Sequence, residues 1–354
     1  MDALTRLEID IAPRVLAWFD RHGRKTLPWQ QAISPYRVWV SEIMLQQTQV
    51  QTVIPYYERF MRELPDVQAL SRADADQVMH LWTGLGYYSR ARNLQRTAQI
   101  VCAQYGGEFP DDVARLSELP GIGRSTAAAI AAIAFGKRAA ILDGNVKRVL
   151  ARFHGVAGYP GETAVHNRLW EYAETHTPAK RIDAYTQAMM DLGATLCTRS
   201  KPACGICPLR DDCLAQQSGR TAEFPGKKPK KVLPVKSAQM LIVEDKHGDI
   251  LLEKRPPTGI WSSLWVFPQI ETGNDPIAYC AEQLHLTVEI VERWDIYRHT
   301  FSHYHFDIEP VRLRVKKQQP AIGENERQLW YSLHTPAAIG LAAPVVKLLK
   351  KLQQ

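Results

Sequence analysis

Long apolar runs are missing from this chain of 354 residues. No stretch reaches the roughly 18–20 consecutive apolar residues that a membrane-crossing helix needs, so no such helix is expected. The segment Met1 to Phe19 mixes acids, arginine and apolar residues at helical spacing. It lacks the basic-then-apolar order of a secretory leader and the acid-free, Arg/Ser-rich character of a transit peptide, so a cytoplasmic, reducing environment is expected. No short internal repeat is visible. Period-2 alternation is scarce before residue 224, so that part is not expected to build a sheet.

What is present is ordinary for a globular protein: 45% apolar and 23% charged residues. The length suits two or three domains. The net charge of +7 suits a polyanionic partner, though charge alone names none.

Apolar residues at three-and-four spacing over Pro35–Phe60, Asp74–Leu81, Ala91–Tyr105 and Ser125–Phe135 predict a helical domain over 1–224. Phe224–Lys236 (FPGKKPKKVLPVK) has five lysines, three prolines and no acid, and 225–236 is read as an extended basic linker. Alternation then appears at Ser237–Glu244, Asp249–Lys254, Tyr304–Val315 and Gln328–Ser332, with helices expected at Asp275–Leu284 and Ala342–Leu352. The segment 237–354 is therefore expected to be a small α+β domain.

Four of the six cysteines (Cys197, Cys204, Cys207 and Cys213) fall in a C-x6-C-x2-C-x5-C pattern. In a reducing compartment such a set points to a metal site rather than disulfides, and thiolates suit both zinc and iron–sulfur clusters. Cys102 and Cys280 sit singly in apolar helical patterns and read as core. Arg199, Lys201 and Arg210, on the cysteine loop, could face phosphates.

Leu116–Thr126 (LSELPGIGRST) precedes an alanine-rich helix. Its Pro-Gly-x-Gly turn, with Gly121 and Gly123, would let backbone N–H groups approach a phosphate, the helix-hairpin-helix arrangement, placed at 116–135. About twenty residues on, ILDGNVKR holds Asp143, which fits a helix N-cap and, in that dipole field, would stay ionised. Glu42, in YRVWVSEIMLQQTQ, is flanked by apolar residues on nearly every helical side. Burial would raise its pKa towards neutrality and make it a usable general acid.

Together SEIMLQQTQV, GLGYYSRARNL, LPGIGRSTAAAI, LDGNVKRVLAR and the cysteine loop resemble the MutY adenine DNA glycosylases over the first 224 residues. The resemblance implies an all-α helix-hairpin-helix glycosylase core with a [4Fe–4S] cluster on Cys197, Cys204, Cys207 and Cys213. It implies that Glu42 protonates the adenine and Asp143 stabilises the cationic sugar after the base is flipped out. Trp29, Leu45, Val50 and Gln187 match the adenine pocket, and Gln47 and Tyr87 match positions that wedge into the duplex. Tyr87 as plain core is the competing reading. Ser125 stands where endonuclease III-type enzymes carry an attacking lysine, so little strand cleavage is expected. Lys147, one turn after Asp143, is expected to pair with it.

WSSLWVFPQ and the later strands resemble the MutT-like (Nudix) domain of the same family. The glutamate-rich metal helix of a working Nudix hydrolase is not found, since DPIAYCAEQLHL has a single Glu. Phe301, Ser302 and His303 resemble the loop that reads 8-oxoguanine, with Ser302 as the hydrogen-bonding residue; a plain β-turn is the alternative. His299, His303 and His305 are not read as a metal site. The implied partner is double-stranded DNA with adenine opposite 8-oxoguanine or guanine, met by a nucleoid-associated monomer. Rival readings are a related glycosylase for another mismatched base and a non-catalytic iron–sulfur DNA-binding protein.

Overall fold

The computed structural model describes residues 9–229, 232–318 and 327–354. Parts of the linker reading (230–231) and of both domain readings (1–8 and 319–326) lie outside them. Contacts divide the chain into two compact units: Met1–Arg72 with Asn93–Pro229, and Ala73–Arg92 with Lys230–Gln354. The segment 73–92, which the sequence assigns to the helical part, therefore packs with the C-terminal residues.

The helices are α1 (Ala12–His22), α2 (Pro35–Leu45), α3 (Val50–Glu63), α4 (Val67–Arg72), α5 (Ala75–Trp82), α6 (Ser89–Tyr105) and α7 (Val113–Glu118). They continue with α8 (Arg124–Phe135), α9 (Gly144–Phe153), α10 (Thr163–His176), α11 (Ile182–Asp191) and α12 (Leu214–Gln217). Start signals are local: Ser34 caps α2 by accepting from Arg37 N, with Pro35 in the first turn, and Asp112 caps α7 through Arg115 N. The helix expected to run unbroken over Pro35–Phe60 is two helices. Gln47 adopts φ +57° between them, a conformation no right-handed helix admits.

The centre of the first unit is α8. Ala127 to Ala132 are at most 2% exposed, because methyl-sized side chains let α2, α7 and α11 close on every side. Trp39, Met44, Tyr57, Phe60, Leu94, Leu116 and Phe153 fill the space around it. Burial on this scale, about 1.5–3 kcal/mol for each large apolar side chain, holds the helices more than propensity does.

The second unit adds an eight-stranded sheet to α5: β1 (Val235–Glu244), β2 (Ile250–Lys254), β3 (Trp265–Val266), β4 (Gln269–Ile270), β5 (Leu286–Arg293), β6 (Tyr297–Thr300), β7 (His305–Gln318) and β8 (Gln328–Tyr331). Strands run β3-β2-β1-β7-β5; β4 pairs β1, β6 pairs β7 and β8 pairs β2. β1 and β7 are parallel over Val235↔His305 to Glu244↔Arg314, whereas β5 and β6 run antiparallel to β7. The helices are α13 (Pro276–Gln283), capped by Asp275, and α14 (Ala343–Leu352). A core of Leu241, Val243, Leu251, Cys280, Leu284, Val311 and Leu313 joins α13 to one sheet face. β5 escaped the sequence reading because its second half is exposed, so only Leu286 and Val288 carry the buried alternation. Among the described residues no helix is long and apolar enough to cross a membrane.

Candidate active site and DNA-contacting loops

Asp143 is the N-cap of α9: Oδ1 accepts from Val146 N at 2.8 Å and Oδ2 from Asn145 Nδ2 at 3.1 Å. Burial pushes its carboxyl above the usual carboxylate range, and these hydrogen bonds pull it back. The sequence expectation weighed only the cap, so the net upward direction corrects it; desolvation outweighs the helix dipole here. Glu42 is the stronger case. Burial, then the charge of Asp143, raises its pKa from 4.5 to about 8. The residue as a whole is half-buried. Hydrogen bonds favour the charged form on Asp143, while Glu42 feels Asp143's charge in addition to its own burial. Unlike environments of this kind are what can separate an acid from an anion in a pair of carboxyls.

Lys147 makes no ion pair with Asp143 among the described residues, against expectation; the carboxylate turns to Val146 and Asn145 instead. Burial lowers the Lys147 pKa, opposed by Asp143. Ser125 Oγ accepts from Leu142 N at 2.9 Å, so the residue expected to mark the absent lysine also fixes the backbone beside Asp143.

In the hairpin, Gly121 takes φ +78°, and an added Cβ would meet Asn93 Cβ at 2.8 Å. Gly123, the N-cap of α8, has nothing within 4 Å of an added Cβ. One glycine is required by backbone conformation and close packing; the other leaves a helix N-terminus open to an anion. Thr97 Oγ1 donates to Pro120 O at 2.9 Å and pins the turn.

Trp29 is buried, edge-on to Tyr57 at 5.5 Å, in a short turn that packs on α2 and α3, the helices of Leu45 and Val50. Gln187, on α11, is met by Gln30 Nε2 at 3.4 Å; that amide also donates to Arg24 O at 2.8 Å. Arg24 in turn holds Asp191, through Nε to Oδ1 at 2.9 Å and its backbone N to Oδ2 at 2.7 Å. Gln30, Arg24 and Asp191 link the Trp29 turn to α11 and were missed, because Gln30 meets Gln187, and Arg24 meets Asp191, about 160 positions away. Gln47 and Tyr87 are both exposed, at non-glycine φ of +57° and +48°. Tyr87 is 52% exposed, which removes the core alternative. Among the described residues Ala32, Arg181, Trp261, Ser263 and His285 share this uncommon non-glycine conformation.

The cysteine loop is organised by α9. Arg152, 2% exposed, donates to Thr198 O at 2.7 Å, Thr221 O at 3.0 Å, Phe224 O at 2.9 Å, Arg199 O at 3.1 Å and Cys197 Sγ at 3.3 Å. Arg148 donates to Cys197 O at 2.7 Å, Gly193 O at 2.7 Å and Asn145 Oδ1 at 2.8 Å, so the side chain that bonds Asp143 is itself tied to the loop. All four cysteines are reduced and half-buried, and no three lie close enough for a single metal ion among the described residues. They are electrostatic neighbours nonetheless: the other three act on Cys207, whose pKa burial raises to about 11. Four soft donors on one short loop, with the Arg152 guanidinium at Cys197 Sγ, suit an anionic thiolate-bound cluster. Arg199, Lys201 and Arg210 are exposed.

In the second unit, Phe301 N donates to Tyr304 O at 2.9 Å, closing a tight turn that presents exposed Ser302 and His303. Trp261 packs on Phe301 at 5.4 Å and on His299 at 5.8 Å beneath it. His305 Nδ1 is met by Thr300 Oγ1 at 2.9 Å.

Residues 40–175 match the HhH-GPD superfamily of base excision DNA repair proteins, 197–213 the iron–sulfur binding domain of endonuclease III, and 239–351 a NUDIX domain. The helical core with its hairpin and carboxylates is thus that of a DNA glycosylase. An adenine DNA glycosylase of Buchnera aphidicola subsp. Acyrthosiphon pisum is 38% identical over 96% of this chain and 97% of its own length. The Homo sapiens adenine DNA glycosylase is 34% identical over 86% of this chain and 67% of its own. A thermostable thymine-DNA glycosylase superposes with a TM-score of 0.55 at 29% identity, over 61% of this chain and 100% of that one. A non-covalent endonuclease III–DNA complex shares the fold, with a TM-score of 0.51 at 21% identity over 62% of this chain and 98% of the other. The chain belongs to the adenine DNA glycosylase family, and its cysteine loop is an iron–sulfur binding loop consistent with a [4Fe–4S] cluster.

Proposed function

We propose that the protein hydrolyses the N-glycosidic bond of adenine mispaired with 8-oxoguanine or guanine, leaving an abasic site without cutting the strand. The observation that carries the reading is a pair of carboxyls in unlike environments, Glu42 raised to about 8 by burial and by the charge of Asp143, and Asp143 held by two hydrogen bonds that favour its charged form. Glu42 gives its proton to the flipped base, which leaves neutral. Asp143, held by Val146 and Asn145, faces the positive charge that grows on the sugar until water attacks. Trp29, Leu45, Val50 and Gln187 receive the base. Gly121 and Gly123 receive phosphate, and Gln47 and Tyr87 enter the gap beside the lesion. Ser302, between Phe301 and His303, takes a hydrogen bond from 8-oxoguanine or gives one to it. The Cys197–Cys213 loop orders basic residues toward DNA, and the cluster it binds supplies structural cross-linking of that loop.

The domains we assign are a glycosylase part over 1–224, a linker over 225–236 and a lesion-reading part over 237–354, acting as a monomer among nucleoid DNA. The test is a single-turnover assay on duplexes with adenine opposite 8-oxoguanine, read with and without alkali. Breaks only after alkali support base removal without lyase action. Breaks without alkali overturn the monofunctional reading, and product only from thymine or uracil mismatches overturns the substrate.

A further inference from the structure

The turn that carries Tyr87 is tied to the helices on either side of it: Gly86 O accepts from Trp82 Nε1 of α5 at 3.1 Å, and Leu85 O and Gly86 O each accept from the Arg90 guanidinium of α6 at 3.1 Å. Its position is set by what α5 and the start of α6 are fastened to. Asp76, in the first turn of α5, uses both carboxylate oxygens: Oδ2 pairs with Lys254 Nζ of β2 at 2.9 Å, and Oδ1 accepts from Trp265 Nε1 of β3 at 3.3 Å. The two side chains of the ion pair are 22% and 29% exposed, so the pair is partly desolvated and geometrically fixed. An added Cβ at Gly340 would meet Met79 Cβ at 2.4 Å, so the neighbouring loop rests directly on α5. Beyond the turn, Tyr88 Oη donates to Leu341 O at 2.9 Å and Arg92 donates to Ser262 O at 2.9 Å. The residue before Ser262 is Trp261, whose ring underlies Phe301, next to Ser302. The Tyr87 turn and the Ser302 loop are thus hung from the same few residues.

We propose that Asp76 is a positioning residue that sets the preference for 8-oxoguanine over guanine, by fixing the Tyr87 turn to the frame that presents Ser302. The inference rests on the lesion reading given above. Asp76 does not act by touching DNA: it is an anion, so its removal strengthens non-specific attraction to phosphate. Any loss of discrimination therefore arises from geometry. A displacement of about 1 Å in a recognition group is enough to cost rate or binding several-fold.

The experiment compares single-turnover rates on adenine opposite 8-oxoguanine and opposite guanine. The proteins are the full-length parent, Asp76→Ala, Lys254→Met, Tyr87→Leu and the Asp76→Ala/Tyr87→Leu double variant, all checked for iron content and melting. Asp76→Ala and Lys254→Met are each expected to lower the 8-oxoguanine preference about fivefold, with the rate opposite guanine unchanged within about twofold. In the Tyr87→Leu background Asp76→Ala has no further effect, because the group it positions is gone. The exchanged pair Asp76→Lys/Lys254→Asp restores only the ion pair's share of the preference, since the acceptor for Trp265 Nε1 stays lost. An unchanged preference in both single variants overturns the proposal, as does an equal loss with and without Tyr87, which marks a purely structural role. A parent that shows no preference at all overturns the lesion reading itself; an intact parental preference confines any failure to Asp76.

Discussion

Replacing Glu42 by glutamine should stabilise the protein, and only above mildly acidic pH. The carboxyl ionises at about 8 in the folded chain against 4.5 when free. Between those values the folded state holds a proton that the unfolded state has released. Stability therefore falls as pH rises through this window and is flat on either side. Each pH unit inside it costs about 1.4 kcal/mol, so the whole window is worth about 5 kcal/mol at most. Water reaching the partly exposed residue reduces this to about 2–4 kcal/mol by pH 8. Glutamine keeps the shape and neutrality of the protonated acid and cannot ionise, so the variant lacks the loss.

The assay is thermal unfolding of parent and Glu42→Gln at pH 4.5 and pH 8. The two should melt together at the lower pH and separate at the higher, with the variant about 5–10 °C more stable. Base release should fall by about 10²–10⁴-fold in the same variant, the usual share of a general acid. Stability gained where activity is lost is the signature of a strained functional group. Identical melting of both proteins at both pH values would show that Glu42 titrates normally, and the acid assignment would fall with it.

Asp143→Asn should abolish base release while mismatch binding persists in a gel-shift assay; near-parental single-turnover rates would overturn the assigned role. Ser125→Lys should gain strand cleavage without alkali and lose about 1 kcal/mol of stability, because the Leu142 amide loses its 2.9 Å acceptor. Ser302→Ala should lower the preference for 8-oxoguanine over guanine by about fivefold, one hydrogen bond's worth, and an equal preference in parent and variant removes Ser302 from that role. Arg152→Met leaves the carbonyls of Thr198, Arg199, Thr221 and Phe224 without this donor, so purified protein should carry less iron and melt at least about 5 °C lower. Full iron content with parental melting would refute that anchoring.

The glycosylase core was legible in the sequence because its signals are local. A Pro-Gly-x-Gly turn, a capping aspartate, a Glu ringed by apolar residues and a cysteine set spanning residues 197–213 are each short-range patterns, and helical periodicity marks most of the intervening elements. What stayed hidden depends on residues far apart in the chain. Arg24 with Asp191, Gln30 with Gln187 and Arg152 with Thr221 meet only after folding. Periodicity also cannot see a single left-handed residue, and so Pro35–Phe60 read as one helix although Gln47 breaks it.

The same limit hides the packing of 73–92 with the C-terminal residues. Its helical pattern matches the elements on either side, and nothing local records that its donors and acceptors are Lys254, Trp265, Ser262, Ile339 and Leu341. Apolar periodicity says that a face is buried, not against what. A charged residue can say more, since a part-buried carboxylate must find a cation or donors somewhere. Asp76 offered that clue in the sequence, but only the fold shows that its partners stand on two strands about 180 positions away. The strained residues carry the complementary lesson. Gln47 and Tyr87 lie in ordinary-looking sequence, and each is held in an unfavourable backbone conformation at an exposed tip. A chain selected for stability alone would place glycine or asparagine there. Under the proposed function that cost serves an external surface, the unstacked duplex around a flipped base.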